Sequence, residues 1–246
     1  MNAVIETVAV QQALVLAHTL LSEPNNRVGK IDGKPGTGKS TIAHYLVKQL
    51  NAVRVCAYQG MSTKSLMMDL CVALGLDPTS GTAATQIARL RAHVRNRLVI
   101  VDEANHLKWP QLEGLRFLAD EAGMALLLMG TDLMNRQFRT PQTGVYLAQL
   151  ASRIGAKTLH LTRMRRIDEG QAYVLQPLFG QVERVVAKRF MQVSQGYWRD
   201  SLELARACQR LMAPHGLTHL TIEVIDTAAQ WMAEGRRAST QLSTAQ

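Results

Sequence analysis

At 246 residues, with 47% hydrophobic and 19% charged residues, the chain is expected to fold as a soluble globular protein with one good core and a smaller satellite domain. No stretch approaches the roughly 20 uninterrupted apolar residues of a bilayer-spanning helix, and no basic leader precedes the first apolar residues, so neither a membrane partner nor a signal peptide is expected. The 28 Lys and Arg against 19 Asp and Glu give a formal charge of +9, which makes nucleic acid a candidate partner, although a basic balance alone is common without one.

Along the chain, residues 3–21 carry apolar positions at mixed three and four spacing and are expected to form a helix that stops near Pro24. A short strand over 28–32 runs into a glycine-rich loop. A helix over 41–50, a strand over 53–58 and a helix over 62–74, ending near Gly75 and Pro78, follow. The spacing of Ile87, Leu90 and Val94 predicts a helix over 85–97. The unbroken apolar runs 98–101 and 125–129, separated by a helix over 109–121, suit parallel strands covered on both faces. A last strand is placed at 156–161. Beyond Thr162 the pattern turns helical, in 168–176, 181–193, 201–212 and 222–233, and the polar stretch from Gly235 is expected to fray.

Strands alternating with helices define an α/β, doubly wound parallel sheet whose ligand sits at the carboxyl ends of the strands. The expected domains are an N-terminal helix and linker (1–24) packing on a core domain (25–162), a small helical lid (163–234) and a flexible tail (235–246). The cysteines Cys56, Cys71 and Cys208 are far apart and form no CxxC pair, so a reducing cytoplasm is the simplest location.

Gly33-Lys34-Pro35-Gly36-Thr37-Gly38-Lys39-Ser40 satisfies GxxxxGK[ST] between a predicted strand and a predicted helix that opens at Thr41. Such a loop wraps backbone N–H groups around the phosphates of ATP; Lys39 reaches the β- and γ-phosphates and the Ser40 hydroxyl ligates Mg²⁺. The strand over 98–101 then delivers Asp102 and Glu103. Asp102 suits a Mg²⁺ carboxylate and Glu103 the group that orients or deprotonates the attacking water. Thr131, after the strand over 125–129, is either a polar contact for that water or a turn cap. Arg153, in Ser-Arg-Ile before the last strand, is a candidate for completing a neighbour's site, and Arg199 for reporting nucleotide state. Taken singly, each arginine also reads as a solvated surface charge. His106 and His160 lack metal-ligand spacing and are read as structural.

The stretches GKPGTGKS, RLVIVDEANHL, LEGLRFL, ALLLMG, YLAQLASRI and GYWR resemble, in that order, the AAA+ ATPases of DNA transposition, of the phage Mu target-selection type, over about residues 5–212. The resemblance implies a P-loop NTPase (AAA+) fold with a helical lid. It also implies an ATP-dependent protein that assembles on duplex DNA without strong sequence preference, as ring or helical filament, and activates a transposase. By motif position it makes Lys39, Ser40, Asp102 and Glu103 the core site, with Gly33, Pro35, Gly36, Thr37, Gly38 and Thr41 around the nucleotide. Thr131 becomes a first sensor, Arg153 an arginine finger and Arg199 a second sensor. Two departures are the lack of an N-terminal helix-turn-helix counterpart and Thr131 where the Mu type has Asn. DNA contacts have no motif; Lys64, Arg89, Arg91, Arg95 and Arg136 are candidates, each of which reads individually as a solvated helix face. The competing readings are a helicase loader, an ExeA-like secretion ATPase, or a small-molecule phosphotransferase.

Overall fold

The computed structural model of the protein describes residues 5–77 and 81–243, with side chains as far as Gly235. Residues 3–4 and Pro78, named in the expectations above, lie outside the described residues, as do 244–246. The chain divides into two compact units, Met1–Leu161 and Thr162–Gln246. Among the described residues no helix is long and apolar enough to cross a membrane.

The first unit is a five-stranded, all-parallel sheet in the order β2-β3-β4-β1-β5. Its strands are β1 (Val28–Gly33), β2 (Val53–Cys56), β3 (Leu98–Asp102), β4 (Ala125–Gly130) and β5 (Thr158–Leu161). β3 and β4 are buried along their whole length, which is why their sequences are unbroken apolar runs rather than alternating ones. The pleat still sorts them by parity. Leu98, Ile100, Leu127 and Met129 join Ile31 in the core against α1 (Val8–Ser22) and α2 (Lys39–Leu50). Val99, Val101, Leu126 and Leu128 join Val28 in the core on the opposite face. That face is covered by α3 (Thr63–Ala73), α4 (Ala83–Arg91), α5 (Trp109–Ala122), α6 (Leu133–Arg139) and α7 (Pro141–Ile154).

Several boundaries differ from the sequence expectation. α1 starts at Val8 rather than residue 3, because Thr7 is extended and its Oγ1 accepts the Val10 N–H as an N-cap. The helix expected over 85–97 is capped by Thr82 and ends at Arg91; Asn96 takes a left-handed φ of 56° and its N–H donates to Gly123 O. α6 and α7 were not expected. Their run is polar and has exposed Val145 and Tyr146, which blurs the helical period, and Pro141 starts α7 from its first turn.

The second unit is helical around its own core, in which Phe190, Leu204, Cys208 and Ile225 are fully or almost fully buried. A continuous helical run comprises α8 (Ile167–Gly170), a π-helical segment (Gln171–Leu175) and α9 (Gln176–Phe179). It is followed by α10 (Arg184–Ser194), α11 (Trp198–Met212) and α12 (Ile222–Ser243). α12 is helical as far as Ser243, through the polar stretch that begins at residue 235. Gly235 costs about 1 kcal/mol within a helix, and the good helix formers Ala233, Glu234, Arg236, Arg237 and Ala238 on either side carry the helix through it.

Candidate functional site

The parallel register lines up the carboxyl ends of the strands. Asp32 is level with Gly130 and His160, Gly33 with Leu161, and Cys56 with Asp102. The loop between β1 and α2 therefore shares one edge of the sheet with Asp102, Glu103 and Thr131.

In that loop Gly36 and Gly38 have φ of 79° and 93°. Gly38 is the residue immediately before α2, in the left-handed region where a side chain would be strained, so glycine is what lets the chain turn straight into the helix N-terminus. Thr37 closes the loop by donating its hydroxyl to Lys34 O at 2.8 Å. Lys39 is 5% exposed, and its Nζ donates to Gly33 O at 2.8 Å and Lys34 O at 3.0 Å, curled over the concavity of its own loop. Ser40 is half-buried in the first turn of α2, Thr41 is exposed beside it, and Pro35 is exposed at the loop tip.

Asp102 is completely buried, and both of its oxygens are engaged. Oδ2 accepts Arg54 Nη2 at 2.7 Å and Oδ1 accepts the Glu103 N–H at 3.0 Å. Arg54 neutralises a carboxylate that would otherwise be costly to bury. The sequence reading missed Arg54; its signal was a lone arginine among the apolar residues of a strand, Val53-Arg54-Val55-Cys56. Glu103 adopts φ 53° and ψ 34°, an unusual place for a non-glycine residue, and the short 3-10 turn Ala104–His106 follows it. The left-handed residue breaks the strand direction sharply, leaving Glu103 half-buried at the sheet edge. Across from Asp102, burial and then the Asp102 charge push the Cys56 thiol up from its ordinary value.

Asn105 joins the two carboxyl ends. Its Oδ1 accepts the Thr131 N–H at 2.9 Å, and a Cβ on Gly130 would lie 2.8 Å from that same oxygen, so only glycine lets the end of β4 come this close. Gln137 of α6 donates to Asn105 O at 3.3 Å and Leu107 O at 2.8 Å, bracing the turn from the other side. Asn105 and Gln137 were not singled out from sequence, because their roles depend on contacts across 26 and 32 residues. The Thr131 hydroxyl oxygen is buried with no hydrogen-bond partner among the described residues, an orphan polar atom at the edge shared by the loop and the carboxylates. The inward Lys39, the glycine-shaped loop, the carboxylate pair and this orphan hydroxyl form a donor set that fits a Mg²⁺–nucleotide.

The remaining predicted residues are dispersed. Arg153, in the last turn of α7, is paired with Asp120, and Arg199 lies in the first turn of α11 in the second unit. Lys64 and Arg136 lie on helices that leave the carboxyl edge of the sheet. Arg89, Arg91 and Arg95 precede the start of β3 and so lie toward the opposite edge; Arg89 Nη1 donates to Asp77 O and Arg91 stacks over the Phe117 ring. His106 sits in the 3-10 turn, whereas His160 is bonded to Asp32.

Residues 23–138 match the family model described as an AAA domain. The chain is 30% identical over 149 residues to the Mu-like prophage FluMu DNA transposition protein B of Haemophilus influenzae, covering 58% of this chain and 51% of the relative. It is 29% identical over 135 residues to the ATP-dependent target DNA activator B of Escherichia phage Mu, covering 53% and 43%. The general secretion pathway protein A of Aeromonas hydrophila is 30% identical over 161 residues, covering 58% of this chain and 28% of that protein. The chain thus spans about half the length of the B proteins it matches. In fold it is similar to a Walker-type ATPase of Pyrococcus abyssi, with a TM-score of 0.67 at 10% identity over 98% of this chain and 75% of that one. The chain has a P-loop NTPase fold of the AAA+ kind and resembles the B proteins of Mu-like transposition.

Proposed function

We propose, from this resemblance to the Mu-type B proteins, that the chain is an ATP-hydrolysing, DNA-binding AAA+ protein that assembles on duplex DNA and delivers it to a transposase. The observation that carries the catalytic part of the reading is the meeting of Lys39, Asp102, Glu103 and the Thr131 hydroxyl at one edge of the sheet.

Lys39 is released from its own loop carbonyls to pair with the phosphates, and the N–H groups of residues 36–41 at the start of α2 hold the phosphate oxygens. Ser40 and Asp102 are the residues that would hold Mg²⁺, which when bound offsets the phosphate charge. Glu103, turned out of the strand by its left-handed backbone, orients and deprotonates the attacking water, and the Thr131 hydroxyl gains its missing partner in that water. Arg153 acts in the site of a neighbouring subunit, and Arg199 takes the second-sensor role that the resemblance implies.

The names of the two B proteins, one for DNA transposition and one for target DNA activation, support DNA and a transposase as partners, and the +9 charge suits a polyanion. The similarity to general secretion pathway protein A supports a second reading, an ATPase whose client is a protein. The two separate in one assay. Duplex DNA should raise the steady-state ATPase rate under the DNA reading; a rate indifferent to DNA of any length overturns it and favours a protein client.

A further inference from the structure

The pleat that turns Ile31 toward α2 turns Asp32 to the other face of the sheet, the side covered by α6 and α7. There three strand ends bring a second set of side chains together. Asp32 of β1 is 3% exposed. Its Oδ2 accepts Lys30 Nζ at 2.9 Å and Asn135 Nδ2 at 3.0 Å, and its Oδ1 lies 2.5 Å from Nδ1 of His160 on β5. Burial would raise this carboxyl, but the hydrogen bonds from Lys30, Asn135 and His160 outweigh it and hold it below its ordinary value, so it is an anion.

A second carboxylate reaches the same place. Asp132 stands at the N-cap position of α6 without capping it; it is exposed, its backbone O accepts the Asn135 N–H at 3.0 Å, and its carboxylate has no hydrogen bond or ion pair among the described residues. Asp32, Asp132 and His160 each present a ligand atom within 4.8 Å of the other two.

We propose that Asp32, Asp132 and His160 form a binding site for a divalent first-row transition metal, with Zn²⁺ as the favoured ion. Two carboxylates and one imidazole are a donor set suited to Zn²⁺ or Co²⁺, and three protein ligands leave coordination positions for water. Lys30 and Asn135 are the outer partners that fix the buried ligand, holding the Asp32 oxygen that faces away from His160. The half-exposed imidazole and the exposed Asp132 give the ion an entry path, and binding replaces the His160–Asp32 hydrogen bond by two metal–ligand bonds. Because Asp132 follows Thr131, a loaded site ties the β4–α6 turn to β1 and β5. The site is distinct from the Mg²⁺ ligands Ser40 and Asp102, and the inference does not depend on the reading of the nucleotide site.

The test uses the full chain without a histidine tag or nucleotide. Zn²⁺ binding is followed by calorimetry and thermal unfolding, and Co²⁺ binding by visible absorption. The expected result is one ion per chain, a raised Tm, and a Co²⁺ spectrum free of thiolate charge transfer. Binding should be lost in His160→Ala, weakened in Asp132→Asn, and weakened about 10–100-fold in Asn135→Ala through the outer shell. Lys39→Ala should bind the ion as wild type does. No binding by the wild-type chain overturns the proposal. So does binding unchanged in both His160→Ala and Asp132→Asn, or a thiolate signature placing the ion on Cys56.

Discussion

Arg153 is held by Asp120 of its own chain, with Nε 3.1 Å from Oδ1 and Nη2 3.3 Å from Oδ2. Asp120 also binds Arg116, which in turn binds Glu113, so Arg153 is the end of a four-residue charge network along α5 and α7. An arginine that acts on a neighbour must leave this pair. The pair is partly solvated and contributes about 0–1 kcal/mol, which is a small barrier to leaving. Arg153→Ala should therefore reduce ATP turnover by a factor on the order of 10³ with nucleotide affinity of the isolated subunit intact, whereas Asp120→Asn should keep turnover at or above wild type. Mixing Arg153→Ala with Lys39→Ala chains should restore activity at interfaces that join a sound loop to a sound arginine. Absence of recovery at every ratio would remove Arg153 from the neighbour's site.

Glu103→Gln should bind Mg²⁺–ATP normally and hydrolyse it at least ~10²-fold more slowly, as fluorescent nucleotide titration and phosphate release would report. The left-handed backbone adds a stability prediction at the same residue. Glycine accepts φ 53° without the roughly 1–2 kcal/mol that an L-residue pays, so Glu103→Gly should be more stable to urea than Glu103→Ala, although both are inactive. Equal midpoints for the two variants would mean that the turn is not strained.

Asn105→Ala leaves the Thr131 N–H without its acceptor, a cost of about 1–3 kcal/mol if no water replaces it. Differential scanning calorimetry should show a lower Tm, and turnover should fall more than nucleotide affinity because the Thr131 hydroxyl loses its placement. A variant with wild-type Tm and kcat would show that Gln137 alone braces the turn.

Much of this arrangement was legible in the sequence, where local residues carry it. The glycine-rich loop, the apolar runs of β3 and β4, and the Asp102-Glu103 pair at a strand end are each written within a few residues. What sequence did not reveal is made by pairing across the chain. Arg54 meets Asp102 only because β2 and β3 lie side by side, and Asn105 meets Thr131 only because β3 and β4 do. His160, read as structural for want of metal-ligand spacing, gains its neighbours by strand register, being level with Asp32 on β1. α7 went unread because its exposed Val145 and Tyr146 stand off the core, with Tyr146 stacked on Trp109 of α5 at 4.7 Å instead.

The cysteines provide an independent check on the site. Cys71 and Cys208 are fully buried, and burial pushes the Cys208 thiol up to about 12, so neither should react in the native protein. Cys56 is exposed, but its raised pKa makes it slow. A chromogenic disulfide reagent should titrate one thiol slowly in the native chain and three after denaturation, and Mg²⁺–ATP should slow the native reaction because Cys56 is level with Asp102. Fast reaction of two thiols, or no protection by nucleotide, would contradict this placement.

The central claim is that ATP drives assembly on duplex DNA of arbitrary sequence, and fluorescence anisotropy tests it most directly. Two unrelated duplexes are titrated with ATP, with ADP and without nucleotide across a salt series. Under this proposal each subunit neutralises only a few phosphates, so single-subunit binding would be weak and ATP-dependent association would link many subunits into a stable complex. The account predicts cooperative binding of both duplexes with ATP only, weakening steeply with salt and abolished in Lys39→Ala. Equal affinity in all three nucleotide states, or strong preference for one duplex, would contradict it.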